Sequence, residues 1–228
     1  MILSFGEKKG KKIFVYADGT FVGALYPKEI DEYNLTDEGE ISEETLERLL
    51  DETLLRRAKS YVMNLLVKAD KTEAELKRKL NENGYSEETS ALAIEYVRSF
   101  HYIDELRTAE NYIRTRMDNS SEKEIRYKLS GKGIEDEIID LAYDRILEIT
   151  DPEGNLSGTG DLEIRAAENF IRKKLGNIVG NIVNIDGNPE ENPETEISYE
   201  EKQKLMAAAF RKGFRQDSIR AALKNVSE

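Results

Sequence analysis

A chain of 228 residues, 35% of them charged and 8% aromatic, holds one or two compact domains and has no apolar run long enough for a membrane span. With no cysteine and a single histidine, it excludes a disulfide framework, a thiolate zinc site and a cysteine nucleophile. The net charge of −12 argues against indiscriminate nucleic-acid binding, but it is unevenly spread: residues 151–200 hold four basic and eleven acidic side chains, residues 201–228 seven and three.

Residues 1–41 differ in kind from the rest of the chain. Lys11-Lys12-Ile13-Phe14-Val15-Tyr16-Ala17, then Asp18-Gly19, then Thr20 to Tyr26 form a hairpin pattern, two apolar runs around an Asp-Gly pair suited to a type I′ turn. A lone hairpin is marginal in water, so this one needs a partner: a strand from residues 1–6, the first helices, or another molecule. It is expected to form an accessory module docked on the helices after it. Pro27 starts a short helix that reaches Tyr33. Met1-Ile2-Leu3 gives way at once to Ser, Gly and charged residues, so no secretory signal is read and a cytoplasmic location is expected.

From Ser42 to about Lys68, Leu46, Leu49, Leu50, Leu54, Ala58, Tyr61, Val62 and Leu65 form an apolar stripe on one bent helix or two. Thr72 and Glu75 then have the form of a capping box, Leu76 and Leu80 share a face, and Gly84 ends the helix. Ser86 opens the next helix, with Leu92, Ala93, Tyr96 and Val97 at helical spacing. This unit, over residues 42–103, recurs over 104–150 around Gly133, with Ser121 and Glu124 as its box, and over 151–228 around Gly213. Eight residues before each glycine stand Leu76, Ile125 and Leu205; four before stand Leu80, Leu129 and Ala209. One after stand Tyr85, Ile134 and Phe214, and ten after stand Ile94, Tyr143 and Leu223. The leading helices match as Ala58-x-x-Tyr61-Val62, Ala109-x-x-Tyr112-Ile113 and Ala167-x-x-Phe170-Ile171. The fold expected is mainly α: an elongated tandem array of three three-helix repeats with a small N-terminal β-hairpin.

The third repeat is interrupted. The glycines lie 49 residues apart between the first and second repeats and 80 apart between the second and third. Part of the excess is a linker before Ala167; the rest is an insertion, residues 176–197, with a strand-like Ile/Val run and an acidic, proline-containing loop. A small hairpin and a flexible flap both fit it.

Catalytic signals are weak. His101, between Phe100 and Tyr102 at a helix end, suits a structural role. Ser130-Gly131-Lys132-Gly133 lacks the spacing of a phosphate-binding loop and ends a helix instead of beginning one. Asp186, Asn188 and Glu190 lack the EF-hand register. No metal, no cofactor and no enzyme activity is expected. The basic residues carry more information. Lys77 and Arg78 lie about 100–200° from the Leu76/Leu80 face. Arg126 shares the offset of Lys77, Lys128 flanks the core face, and Arg220 and Lys224 lie one turn apart on the last helix.

Three passages resemble the RecX family of recombinase regulators. They are Thr72 to Leu80 with Asn83-Gly84-Tyr85; His101-Tyr102-Ile103-Asp104-Glu105-x-Arg107-x-Ala109; and Lys123-Glu124-Ile125-Arg126-x-x-Leu129-x-x-Lys132-Gly133-Ile134. The Asp-Gly hairpin ahead of the repeats is similar to that of the extended Gram-positive members. The resemblance implies a bacterial, non-enzymatic modulator of RecA in DNA repair and the SOS response. Such a protein lodges in the groove of the RecA–DNA filament and restrains its ATPase, strand-exchange and co-protease activities. Joined to the recurrence of the basic residues, it leads us to expect a monomer whose partner-binding residues are Lys77, Arg78, Arg126, Lys128, Lys132, Arg220 and Lys224, touching RecA and single-stranded DNA within the filament; the acidic net charge leads us to expect weak affinity for free DNA, and no membrane contact is expected. Two departures stand out: the chain is acidic where members are usually basic, with Asp118-Asn119-Ser120 where Gly-Pro or basic residues are usual, and the third repeat carries the insertion. A tandem helix-turn-helix-like nucleic-acid-binding module and a protein–protein adaptor not acting on RecA are the alternatives.

Overall fold

In the computed structural model, which describes residues 1–151, 158–186 and 197–227 (177–186 and 227 by backbone alone), the chain divides into two compact units, Met1–Glu105 and Leu106–Glu228. The first opens with β1 (Leu3–Lys9), β2 (Lys12–Ala17) and β3 (Thr20–Leu25), antiparallel in the order β1-β2-β3. The expected hairpin is therefore β2–β3, and β1 is the third strand that stabilises it. Asp18 and Gly19 both take positive φ, 46° and 78°, as a type I′ turn requires. Both sheet edges are covered. Residues 39–41 pair with residues 1–3 along β1, and on β3 the Ala24 N–H donates to the Gly84 carbonyl at 2.7 Å. Leu3, Val15, Ala17, Val22 and Leu25 are buried in one core with the helices of the same unit. The accessory module is thus docked on the first repeat.

After α1 (Pro27–Glu32), the long apolar stripe forms α2 (Glu43–Arg48), a π-helical segment (Leu49–Leu55) and α3 (Arg56–Lys68) in direct succession. An α-helix would turn residues five apart to different faces. The wider π turn bonds i to i+5, so Leu49 and Leu54 both reach the core at 0% exposure. The repeat helices α4 (Glu73–Glu82) and α5 (Glu87–Ser99) complete this unit. Thr72 and Glu75 close the capping box reciprocally, both bonds at 3.2 Å. Along α5 the core face is Ala93, Ile94 and Val97. Leu92 and Tyr96, expected on that stripe, are exposed instead, and Tyr96 joins Phe100 and Tyr102 in a run of ring contacts at 5.1 and 5.7 Å.

The second unit holds α6 (Glu105–Arg116), α7 (Glu122–Ser130), α8 (Asp136–Thr150), α9 (Thr159–Asp186), α10 (Tyr199–Arg211) and α11 (Gln216–Ser227), with α6 beginning at the last residue of the first unit. The Ile/Val run read as strand-like continues α9 to Asp186 as helix. A formed helix propagates without paying nucleation again, whereas a strand there needs a partner. The acidic loop of the insertion, 187–196, lies outside the described residues. Ser121 makes only half of its expected box: its Oγ accepts from the Glu124 N–H at 3.1 Å but donates to the Lys212 carbonyl at 2.8 Å, and Glu124 reaches Lys212 Nζ at 3.5 Å. The second repeat's cap has become its joint to the third. A full box with no counterpart among the expected ones stands at Ser198 and Glu201.

The three repeat glycines close their helices identically. Gly84, Gly133 and Gly213 take φ of 84°, 84° and 87°. Tyr85, Ile134 and Phe214 donate their N–H to Leu80, Leu129 and Ala209 at 3.2, 3.2 and 3.3 Å, the Schellman pattern. The apolar contact that accompanies this motif is present each time, since all six side chains are buried. The same closure ends α5, where Tyr102 N–H donates to the Val97 carbonyl at 3.1 Å, but the left-handed residue is His101, φ 56°. A side chain there costs about 1–2 kcal/mol, partly offset because glycine has more freedom to lose on folding. His101 is exposed, so little packing is forfeited. His101→Gly is expected to raise stability by about 0.5–1 kcal/mol in urea denaturation; a loss of stability would mean the imidazole has a structural partner.

Candidate partner-binding surfaces

The seven basic residues sit on separate elements. Lys77 and Arg78 project from α4 in the first unit; Arg126 and Lys128 on α7, Lys132 after it, and Arg220 and Lys224 on α11 belong to the second. Lys77 is half exposed and bonds Glu87 at 2.6 Å; that bond pushes its ammonium up and the Glu87 carboxyl down. Arg78 has only a long 3.8 Å approach to Glu82 and is solvated. Such exposed pairs contribute little, so an incoming anion can replace the acidic partner readily.

Arg126 differs from its counterpart Lys77. Its guanidinium bonds Glu122 at 2.8 Å and Asp140 at 2.7 Å and lies 5.1 Å from the centre of the Tyr143 ring. Burial works against its charge, but the two carboxylates outweigh it and hold Arg126 protonated. Burial also pushes the Tyr143 phenol well up. Helical offset alone places Arg126 on an open face; α8, which brings Asp140, makes it a strut between α7 and α8. Lys128 is exposed, 6.0 Å from the Tyr127 ring, and Lys132 is half-buried, 6.0 Å from the Tyr112 ring. Arg220 and Lys224 are exposed on α11, whose opposite side buries Ile219, Ala222 and Leu223.

Each unit also holds a basic concavity that sequence reasoning missed. In the second, a cleft of about 420 Å³ is lined by Asn119, Phe170, Lys173, Lys174 and Lys212. Beside it, Asn169 donates to the Asp118 carbonyl at 2.9 Å and Arg165 approaches the Asp118 carboxylate at 3.8 Å. The departure at Asp118-Asn119 therefore ties the α6–α7 turn to α9. In the first unit, a cleft of about 510 Å³ lies between the β1–β2 turn and the C-terminal end of α4, lined by Lys9, Lys11, Lys12 and Lys79 with Phe14 and Tyr26 among its aromatic walls. Its signal in the sequence is Lys8-Lys9-Gly10-Lys11-Lys12, four lysines on one tight turn, of which the hairpin pattern uses two and only as a strand's edge. Among the described residues, no group of histidine and carboxylate side chains is placed to hold a metal ion, and no helix is long and apolar enough to cross a membrane.

Residues 58–96 match the family model described as RecX, first three-helix domain. Over 172 residues, 75% of this chain and 76% of the relative, the sequence is 28% identical to "Regulatory protein RecX" of Clostridium acetobutylicum. It is 26% identical to the protein of that name from Clostridium perfringens strain 13, over 74% of this chain and 77% of the relative. The fold is similar to that of a crystal structure of regulatory protein RecX, with a TM-score of 0.55 at 19% identity over 98% of this chain and 100% of the other. A crystal structure of RecX from Lactobacillus salivarius gives 0.54 at 21% identity, over 76% and 96%.

Proposed function

We propose that the chain is a RecX-type regulator that binds the RecA–single-stranded DNA filament and restrains the filament's activities, and that it is not an enzyme; its similarity to proteins of that name supports this reading. The observation that carries this reading is the sequence match over three quarters of the chain to proteins named for regulation. Exposed basic residues on successive repeats, Lys77 and Arg78, Lys128, and Arg220 and Lys224, support a multipoint contact. A chain that touches a filament at several points gains through effective concentration, so individually weak pairs sum to useful affinity. The acidic remainder disfavours free DNA, which suits a protein that selects the filament. Arg126 contributes by bracing α7 against α8, so the contact is assigned to its exposed neighbours.

The test is single-stranded-DNA-dependent ATP hydrolysis by the RecA of the same organism. Parental protein is expected to slow hydrolysis at sub-stoichiometric amounts, and Lys128→Glu combined with Arg220→Glu to do so markedly less while keeping the parental circular dichroism. No effect of the parental protein would overturn the reading. Equal inhibition by both proteins would retain the function and discard these two residues as the contact.

A further inference from the structure

The cleft of the first unit owes its charge to how the sheet docks. Gly10 takes φ 64° at the first central position of the β1–β2 turn, where a type II′ turn demands it, and sets Lys9 and Lys12 opposite one another at the strand ends. β3 is held against the α4–α5 turn by the Ala24–Gly84 bond, which brings the lysine-rich turn to the C-terminal end of α4. There Lys12 Nζ donates to the Asn83 carbonyl at 2.9 Å and Lys9 Nζ approaches the Glu82 carbonyl at 3.4 Å. A helix C-terminus attracts cations, and that accounts for Lys12. It does not account for Lys11, which is exposed, or for Lys79, whose Nζ bonds Glu82 at 2.9 Å on the surface of α4. Four ammonium groups thus share the cleft with one carboxylate, in a chain that is strongly acidic overall.

The walls add a second property. Phe14, Tyr26 and Tyr61 line the same cleft, and none of the three is fully buried. Arg57 lies beneath, bonded to Glu29, to the Ala24 carbonyl and to the Tyr85 hydroxyl at 3.2 Å. Burial, and then the nearby Arg57 charge, push the Lys12 ammonium down, and Glu29 only partly offsets this. An anion in the cleft would relieve that positive field. Cations for phosphates beside aromatic rings for bases are the combination that holds nucleotide chains. The cleft offers lysine point charges and no glycine-rich backbone cradle, which suits a phosphodiester passing through better than an enclosed triphosphate.

We propose that this cleft binds a nucleotide unit, with its phosphates on Lys9, Lys11 and Lys79 and its base against the Phe14, Tyr26 and Tyr61 wall, presented by a single-stranded nucleic acid or by a free nucleotide. The site goes beyond the regulator reading and stands apart from it, because binding is measured with no recombinase present.

The full chain is titrated into a short labelled oligothymidylate at low salt, and fluorescence anisotropy is followed. Three neutralised phosphates predict a slope of log affinity against log salt of about −2, from roughly 0.7 per phosphate on single strands. Lys9→Glu with Lys11→Glu is expected to weaken binding by about tenfold or more. Lys79→Glu, on the opposite wall and independent of the turn, is expected to weaken it as well, so the test survives if the first variant misfolds. Unlabelled ATP is the second arm. Failure of ATP to displace the strand assigns the site to single-stranded nucleic acid, and displacement at comparable concentrations assigns it to a free nucleotide. Binding of neither probe, or parental affinity in both folded variants, would overturn the proposal.

Discussion

Leu129→Ala is expected to lower the stability of the second unit by about 3–5 kcal/mol, a large part of what a domain of this kind possesses. Leu129 is 0% exposed and packs in one cluster with Ile125, Ile134, Ile139 and Tyr143. Its carbonyl is also the acceptor for Ile134 N–H in the turn at Gly133, so the backbone around it is held and cannot collapse easily into the space left. In the third repeat the position is smaller: Ala209 stands there, and the residue after the glycine is the larger Phe214, fully buried and 5.7 Å from the Phe170 ring. Volume lost on one side of the turn has been regained on the other. In the second repeat the facing residue is Ile134, so Leu129→Ala has no such compensation, and Leu129→Ala with Ile134→Phe should recover part of the loss. Urea denaturation followed by circular dichroism measures both. A parental midpoint for Leu129→Ala would mean that the glycine-anchored register of the repeats is misassigned.

That register is legible in the sequence because each of its signals acts locally. A serine or threonine followed three residues later by glutamate satisfies backbone donors, and a glycine where the chain must turn left-handed closes the helix; neither needs the rest of the fold. Elements set by partners distant in sequence are harder to read. β1 contains Glu7, Lys8 and Lys9, is exposed over much of its length, and is a strand because β2 lies beside it. The π segment arises because Leu49 and Leu54 must both face the sheet and its helices, which no α-helical periodicity expresses. The Ile/Val run after Leu175 has strand propensity, yet it extends a helix already formed. The site divides the same way. Exposure of Lys77, Arg78, Arg220 and Lys224 comes from helical phase; the commitment of Arg126 to Asp140, and the meeting of the lysine turn with the end of α4, depend on contacts between elements.

Gly84→Ala is expected to cost about 2–4 kcal/mol, because two separate demands on this residue coincide. The first is conformational: φ is 84°, a region where a side chain costs about 1–2 kcal/mol. The second is steric: a Cβ on Gly84 would lie 2.5 Å from the Cβ of Ala24, since β3 approaches closely enough for Ala24 to hydrogen-bond the Gly84 carbonyl. Two backbones at that distance leave no room for a methyl group on each. A double-mutant cycle with Ala24→Gly separates the demands. In the Ala24→Gly background the overlap is gone, so Gly84→Ala should cost only the conformational part, and the coupling between the sites should be about 1–3 kcal/mol. Strict additivity would show that β3 can withdraw from the turn without loss. The closeness of sheet and helix end, on which the lysine cleft also depends, would then not be fixed by this contact.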